Sequence, residues 1–316
     1  MQVVVQLQLF SYSVICPLFL TSTFHDFPLR LPRTYITMKR FFLPLTALVA
    51  MYLTACNGGS SDTPANDNAG NTPTIAEPPA LKYTIVKDYP HDTLSFTQGL
   101  VVYNGKMYEG TGGSPEYSIY KSWVGTVDIE TGKNIQKVPL DTIYFGEGIT
   151  ILKDKVYQLT WKGHKGFIYD AKTLKKLGEF PLKTEGWGIT NDGTNLIVSD
   201  GSSNLYFLDA NTFNTAKIVS VTDNNGGVSD INELEYINGF IFANRWETNY
   251  IYKINPSNGQ VAAKADFTGV IERYTEGFDA ETKGDAVLNG IAYDSASKKT
   301  YITGKLWPKL FEVKFE

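Results

Sequence analysis

One short unit returns five times between Gly99 and the C-terminus, and no other feature constrains the fold as strongly. It opens on Gly or Glu with an apolar strand, turns, and continues into a second strand ending near Gly or Trp. The copies are "GLVVYNGKMYEGTGG" from Gly99, "GITILKDKVYQLTW" from Gly148, "GITNDGTNLIVSDG" from Gly188, "ELEYINGFIFANRW" from Glu233 and "GIAYDSASKKTYITGKLW" from Gly290. Their starts lie 49, 40, 45 and 57 residues apart, at or near the about 40–50 residues that a β-propeller blade occupies. A β-sandwich would not repeat itself at such an interval.

A second mark follows the first in four units: an apolar strand running into Asp or Asn and a turn. It appears in "VDIETGK" from Val127, "IYDAKTLK" from Ile168, "LDANTFN" from Leu208 and "INPSNGQ" from Ile254. These residues tolerate turn geometry, and the segments read as hairpins between the third and fourth strands of a blade. The fifth unit lacks the turn because the chain ends at "LFEVKFE". The missing outer strand is available at the other end of the domain, in "LKYTIVKDY" from Leu81 to Tyr89. Closing the last blade with strands from both termini removes the free edge. The expected fold is all-β, a five-bladed β-propeller over residues 81–316 with almost no helical signal.

Ahead of the repeats the chain changes character. From Met38 it runs "MKRFFLPLTALVAMYLTAC", a Lys-Arg pair and an apolar stretch short for a membrane span, closing on Leu53-Thr54-Ala55-Cys56. That is the layout of a secretory signal ending in a bacterial lipobox, whose cysteine becomes a lipid-bearing N-terminus; the alternative is a membrane anchor that happens to end in Cys. The polar run "NGGSSDTPANDNAGNTPT" comes directly after it. Residues 38–55 therefore read as a lipoprotein signal peptide, Cys56 as its lipidation site and residues 56–80 as a flexible tether. Residues 1–37 precede a good start and read as an over-extended gene start. The location this implies is the bacterial cell envelope, with the propeller anchored to a membrane in the periplasm or at the cell surface. Cys16 and Cys56 are the two cysteines of the chain, so the propeller has no disulfide to draw on. A net charge of −4 and the lack of a basic patch interleaved with aromatics exclude nucleic acid as an expected partner.

In a propeller the innermost strands line a central channel, and the loops joining them to their neighbours make one face. The residues leading into the first strand of each unit are Phe96-Thr97-Gln98, Glu147, Glu185-Gly186-Trp187, Asn232-Glu233 and Asn289. At the ends of the second strands stand Glu109, Trp161, Asp200, Trp246 and Lys305. Each has a plain reading as a turn residue, a packed aromatic or a rim residue. Together they place carboxylates, three tryptophans and one lysine on one face. Glu147 stands out, a carboxylate between two glycines just ahead of an apolar run. The glycines supply unusual backbone angles for a turn, or they clear room for something to approach the carboxylate. His91 and His164 lack partners at metal-ligand spacing, so no zinc site is argued.

The segments "FTQGL", "YEGTG", "FGEGIT", "YQLTW", "GEFPLKTEGWGIT", "VSDGSSNLYFLD", "NELEY", "ANRWETN", "LNGIAYD" and "TGKLWPKLFEV" resemble, in order, those of the glutamine cyclotransferases of plant and bacterial type. The resemblance implies a five-bladed propeller that converts N-terminal glutaminyl residues of peptides or proteins to pyroglutamate with release of ammonia. It implies no catalytic metal or other cofactor, and leaves room for a structural calcium ion. Its functional positions fall on Gln98, Glu147, Trp161, Trp187, Asn232, Trp246 and Lys305, with Phe96 beside them in the substrate pocket. On this reading Glu147 shuttles the proton from α-amine to leaving ammonia, Lys305, Gln98 and Asn232 stabilise the oxyanion, and Phe96 and the tryptophans hold the substrate. A monomer is expected. Two departures bear on substrate preference: "SWVG" from Ser122 to Gly125 where the family carries a basic residue, and an insertion from Asp266 to Asp285. The rival functions are a non-enzymatic binding propeller using the same tryptophans, and a metal-dependent lactonase-like propeller in which Glu109, Asp200 and Glu233 surround a cation.

Overall fold

The computed structural model describes residues 75–316. Residues 1–37, the signal segment, Cys56 and most of the tether lie outside the described residues. The domain is built on five four-stranded antiparallel sheets. After β1 (Tyr83–Pro90), blade 1 contains β2 (Thr97–Tyr103), β3 (Lys106–Thr111), β4 (Trp123–Val127) and β5 (Asn134–Pro139). Blade 2 contains β6 (Gly146–Leu152), β7 (Lys155–Thr160), β8 (Lys165–Asp170) and β9 (Lys176–Pro181). Blade 3 contains β10 (Ile189–Asn191), β11 (Asn195–Ser199), β12 (Asn204–Asp209) and β13 (Thr215–Ser220), followed by a small hairpin of β14 (Thr222–Asp223) and β15 (Gly226–Gly227). Blade 4 contains β16 (Ile231–Ile237), β17 (Phe240–Arg245), β18 (Tyr250–Ile254) and β19 (Val261–Asp266). Two short helices, α1 (Thr268–Thr275) and α2 (Ala280–Asp285), lead to blade 5, made of β20 (Leu288–Asp294), β21 (Lys299–Gly304), β22 (Lys309–Phe315) and β1.

The ring closes as the repeats imply. β1 pairs antiparallel with β22, Tyr83 opposite Phe315 and Tyr89 opposite Leu310, so the last blade takes strands from both ends of the domain. The inner strands β2, β6, β10, β16 and β20 adjoin one another in that order, and β20 meets β2. β6 is buried along its whole length, while the outer strands β5, β9 and β13 are largely exposed. Five apolar clusters lie between blades, one at each seam: Ile151 with Val101, Leu196 with Leu159, Leu234 with Ile197, Ile302 with Phe242, and Ala292 with Leu100. Burying such seams is what stabilises a fold without cross-links.

The outer hairpins share one device. Asp128, Asp170 and Asp209 each accept from the backbone N–H of the Thr three residues on, at 2.8 Å in all three. One residue further, Gly132, Leu174 and Phe213 adopt positive φ angles of 68°, 56° and 57°. In blade 4 Asn255 and Gly259 (φ 78°) occupy the same places. Asp and Asn imitate a backbone turn with their own side chains, which is why the pattern shows in the sequence.

Two elements differ from the expectation of an almost helix-free domain. α1 and α2 occupy the insertion, and Val270, Ile271, Tyr274 and Phe278 pack on the seam between blades 4 and 5. On the same side, Leu81 donates its N–H to Lys264 O at 2.8 Å and Lys264 donates to Pro79 O at 3.0 Å. The end of the tether thus pairs with β19, an outer strand more buried than β5, β9 and β13.

Candidate active site

Four of the five inner strands begin with a break in register. The ladders slip between Thr97 and Gly99, Gly146 and Ile149, Ile231 and Leu234, and Leu288 and Ile291. Inside those breaks sit Gln98, Glu147, Asn232 and Asn289. A bulge takes a side chain out of the inward–outward alternation and re-aims it, so the same irregularity presents a polar residue from blades 1, 2, 4 and 5. From the other direction, Trp161, Trp246 and Lys305 follow directly on the ends of β7, β17 and β21. Trp187 lies just before Gly188 and the short β10.

Glu147 and Lys305 are both buried, and among the described residues neither charged end makes a hydrogen bond. Burial pushes the Glu147 carboxyl well above its ordinary range, Lys305 pulling it partly back and Glu185 pushing it further. Burial brings the Lys305 ammonium down to about 8, with the charges of Glu147 and Asp285 opposing the drop. The amine is steadied by the face of Phe96, whose ring centre lies 4.6 Å away. A carboxyl whose proton affinity is raised and an amine whose proton affinity is lowered, with their hydrogen-bonding capacity unspent, are equipped for acid–base work at a ligand.

Three amide side chains, Gln98, Asn232 and Asn289, come from the other inner-strand bulges. Gln98 accepts from Asn289 Nδ2 at 3.1 Å through its Oε1, and Asn289 also donates to Thr97 O at 2.9 Å. That leaves the Gln98 amide nitrogen as a donor. Asn232 Oδ1 and Asn289 Oδ1 are buried without a partner; such atoms are costly unless a ligand or ordered water meets them.

The aromatic walls are more extensive than the sequence suggests. Phe96 stacks on Tyr120 with centroids 5.4 Å apart and meets Phe145 edge-on at 6.1 Å. Phe145 meets Trp161 at 5.9 Å, and Trp161 meets Tyr117 at 5.1 Å. Trp187 and Trp246 cross at 5.6 Å and 89°. Trp161 Nε1 and Trp187 Nε1 both donate to Glu185 Oε2, at 2.8 and 3.1 Å. One carboxylate oxygen therefore sets the tilt of two walls from neighbouring blades. Phe145, Tyr117 and Tyr120 were missed by sequence reasoning, and Glu185 was noted only as a residue ahead of a strand. The spacing of Phe145 two residues before Glu147, matching Phe96 two before Gln98, was the available signal.

Other expected members are used elsewhere. Glu109 lies inside β3, not at its end, and accepts from Thr97 Oγ1 at 2.7 Å while His91 Nε2 approaches at 3.2 Å. His91 Nδ1 also faces an acceptor, Trp307 O at 2.9 Å, so the ring donates from both nitrogens. Burial opposes that charge, but Glu109, with the Trp307 carbonyl and Asp92, more than offsets it and raises the His91 pKa. The pair ties the Phe96 loop to the Lys305 loop. Glu233 accepts backbone N–H groups from two other blades, Leu100 at 3.3 Å and Ile291 at 2.9 Å. Asp200 caps its own turn through Ser202 N at 3.1 Å. Among the described residues no three His, Cys, Asp or Glu side chains converge as a metal site.

The glycines around Glu147 answer to packing. Neither Gly146 nor Gly148 has a positive φ. A Cβ on Gly148 would stand 2.8 Å from Trp187 O, and one on Gly146 2.7 Å from Thr111 O. They let neighbouring backbone close onto the strand, where the sequence suggested unusual angles or room for a ligand. Ser122, at the departure from the family pattern, accepts from Gly146 N and donates to Gly113 O, both at 2.7 Å, and so braces the strand that carries Glu147. The residues directly after the insertion brace Lys305, whose N–H donates to Val287 O at 2.9 Å, and Trp307, whose Nε1 donates to Ala286 O at 2.9 Å.

Known proteins resemble this chain in sequence and fold. The family model described as glutamine cyclotransferase matches residues 51–315. A glutaminyl-peptide cyclotransferase of Arabidopsis thaliana is 38% identical over 236 residues, covering 73% of this chain and 71% of the relative. The crystal structure of the glutaminyl cyclase of Myxococcus xanthus superposes with a TM-score of 0.68 at 32% identity, over 76% of this chain and 99% of that one. The repeats, the five closed blades and these likenesses agree: the chain belongs to the glutamine cyclotransferase family.

Proposed function

We propose that the protein is a glutaminyl-peptide cyclotransferase that closes the N-terminal Gln of a peptide or protein into pyroglutamate. The observation that carries this reading is the buried Glu147 carboxyl, unbonded and raised, in electrostatic reach of the lowered Lys305 amine, which lies over the Phe96 ring. The α-amine nitrogen attacks its own side-chain carbonyl carbon, and Glu147 accepts the proton that the nitrogen sheds. The tetrahedral oxyanion receives hydrogen bonds from Lys305 and from the amides of Gln98 and Asn232; a donor of this kind is worth roughly 10²–10³ in rate. The carbon–nitrogen bond to the side-chain amide then breaks as Glu147 returns the proton, and ammonia leaves. Atoms balance without water, so a closed pocket suits the step. Phe96, Trp161, Trp187 and Trp246 hold the Gln side chain folded toward its own amine, the main requirement of an intramolecular closure. Their electron-rich faces steady the ammonium before it deprotonates.

On this reading no cofactor takes part in the chemistry, and a calcium ion would have a structural role only. Cys56 bears lipid and holds the monomeric propeller at a membrane of the bacterial envelope, where its site meets peptide N-termini. Mass spectrometry of a Gln-peptide incubated with the protein tests the reaction: loss of one ammonia per peptide supports it, and an unaltered peptide contradicts it. Fractionation tests the anchor, since Cys56→Ser protein still bound to membranes would contradict lipidation.

A further inference from the structure

Two loops that feed the pocket carry the same five-residue design, "DTLSF" from Asp92 to Phe96 and "DTIYF" from Asp141 to Phe145. In each, the Asp carboxylate accepts the N–H two residues on: Leu94 N at 3.0 Å and Ile143 N at 3.1 Å. In each, the Asp carbonyl accepts the N–H three residues on, Ser95 at 2.9 Å and Tyr144 at 3.0 Å. The final Phe turns into the aromatic wall, and the two Phe rings meet at 6.1 Å. The third residue is held out in solvent, Leu94 at 73% exposure and Ile143 at 75%. The neighbouring loop, whose Tyr120 stacks on Phe96 and whose Tyr117 meets Phe145, adds Ile119 at 84%.

Exposed aliphatics elsewhere have a different distribution. Ile85 and Val86 on β1, Ile135 on β5, Leu177 on β9 and Ile218 on β13 are spread over the outer strands of four blades, and such scattered apolar residues need no explanation. Leu94, Ile119 and Ile143 instead belong to three loops whose rings Phe96, Tyr117, Tyr120 and Phe145 meet one another, and Leu94 and Ile143 sit in turns closed by paired hydrogen bonds. Bearing a rigid, solvated aliphatic at the same place in two loops makes sense only where something covers it.

We propose that Leu94, Ile119 and Ile143 form a binding surface for the substrate residues that follow the N-terminal Gln, and that this surface selects apolar side chains. The occupant follows from the reaction, on which this inference rests: with Gln folded against the aromatic wall, the chain beyond its carbonyl leaves past the rim of that wall. The rim residues the peptide first meets are those set two positions ahead of Phe96 and Phe145.

The test compares kcat/KM for Gln-Leu and Gln-Asp peptides, each normalised to glutamine amide, which has no second residue. An apolar contact of this size discriminates by about tenfold, so the parent protein should prefer the Leu peptide by roughly that ratio. In Leu94→Ser/Ile143→Ser, which keeps both capping aspartates, the ratio should fall toward one with an unchanged melting curve. Ile119→Ser, in the other loop, should lower it by itself. A parent ratio near one, or a parent-like ratio in the variants, overturns the proposal. A parent that turns over glutamine amide without discriminating overturns the surface alone; inactivity on all three substrates overturns the cyclotransferase reading with it.

Discussion

The Lys305 ammonium lies 4.6 Å from the centre of the Phe96 ring, joining the last blade to the loop that leads into the first. Its pKa of about 8, lowered by burial, makes its charge sensitive to mild alkali. As an oxyanion donor Lys305 must be protonated, so kcat/KM should fall as pH rises through about 8. Lys305→Met should lose this alkaline limb and lower kcat more than it raises KM, as expected for an interaction made in the transition state. A pH–rate profile for the two proteins checks both; a pure KM effect would make Lys305 a substrate anchor instead.

Glu185 offers a separate handle on Glu147. Its charge is one of the causes that raise the Glu147 pKa, while its Oε2 holds Trp161 and Trp187. Glu185→Gln keeps an acceptor for both indoles and removes the charge. The Glu147 pKa should then fall, and the acid limb of the kcat profile should move to lower pH. An unmoved limb would separate the two carboxylates electrically.

Gly148→Ala tests the packing role of the glycines. The new Cβ would press on the backbone of Trp187 and Gly188, at 2.8 and 2.9 Å, where no flexible side chain can yield. Overpacking of this kind costs about 1–3 kcal/mol, readable as a lowered denaturation midpoint. Full parental stability would contradict the account.

Activity should survive exhaustive chelation, because among the described residues no His, Cys, Asp and Glu cluster exists to hold a catalytic ion. Loss of turnover restored by zinc would contradict this. Loss restored by calcium alone, with a lowered melting temperature, would assign a structural ion.

The division between legible and hidden features has physical causes. Gln98, Glu147 and Asn232 were legible in the sequence because the repeat aligns the starts of the inner strands, where a polar residue ahead of an apolar run is conspicuous. That these residues sit in bulges was not legible, since a register slip depends on pairing across strands. Tyr117 and Tyr120 lie in a loop with no counterpart in other blades. The role of Glu185 depends on how two indoles tilt, which no spacing encodes. α1 escaped notice because "TGVIERYT" holds Gly269 and several β-branched residues and begins without a side-chain cap; its stability comes from packing on the seam between blades 4 and 5.

The central claim is that Glu147 carries the proton from the attacking amine to the departing ammonia. Glu147→Gln has nearly the same shape and no exchangeable acid, and general acid–base catalysis is worth roughly 10²–10⁴ in rate. The decisive measurement is kcat for pyroglutamyl formation by parent and variant, alongside their melting curves. A kcat lowered by at least about 10² in a protein that still melts cooperatively is the predicted result, and a near-parental kcat would remove Glu147 from the mechanism.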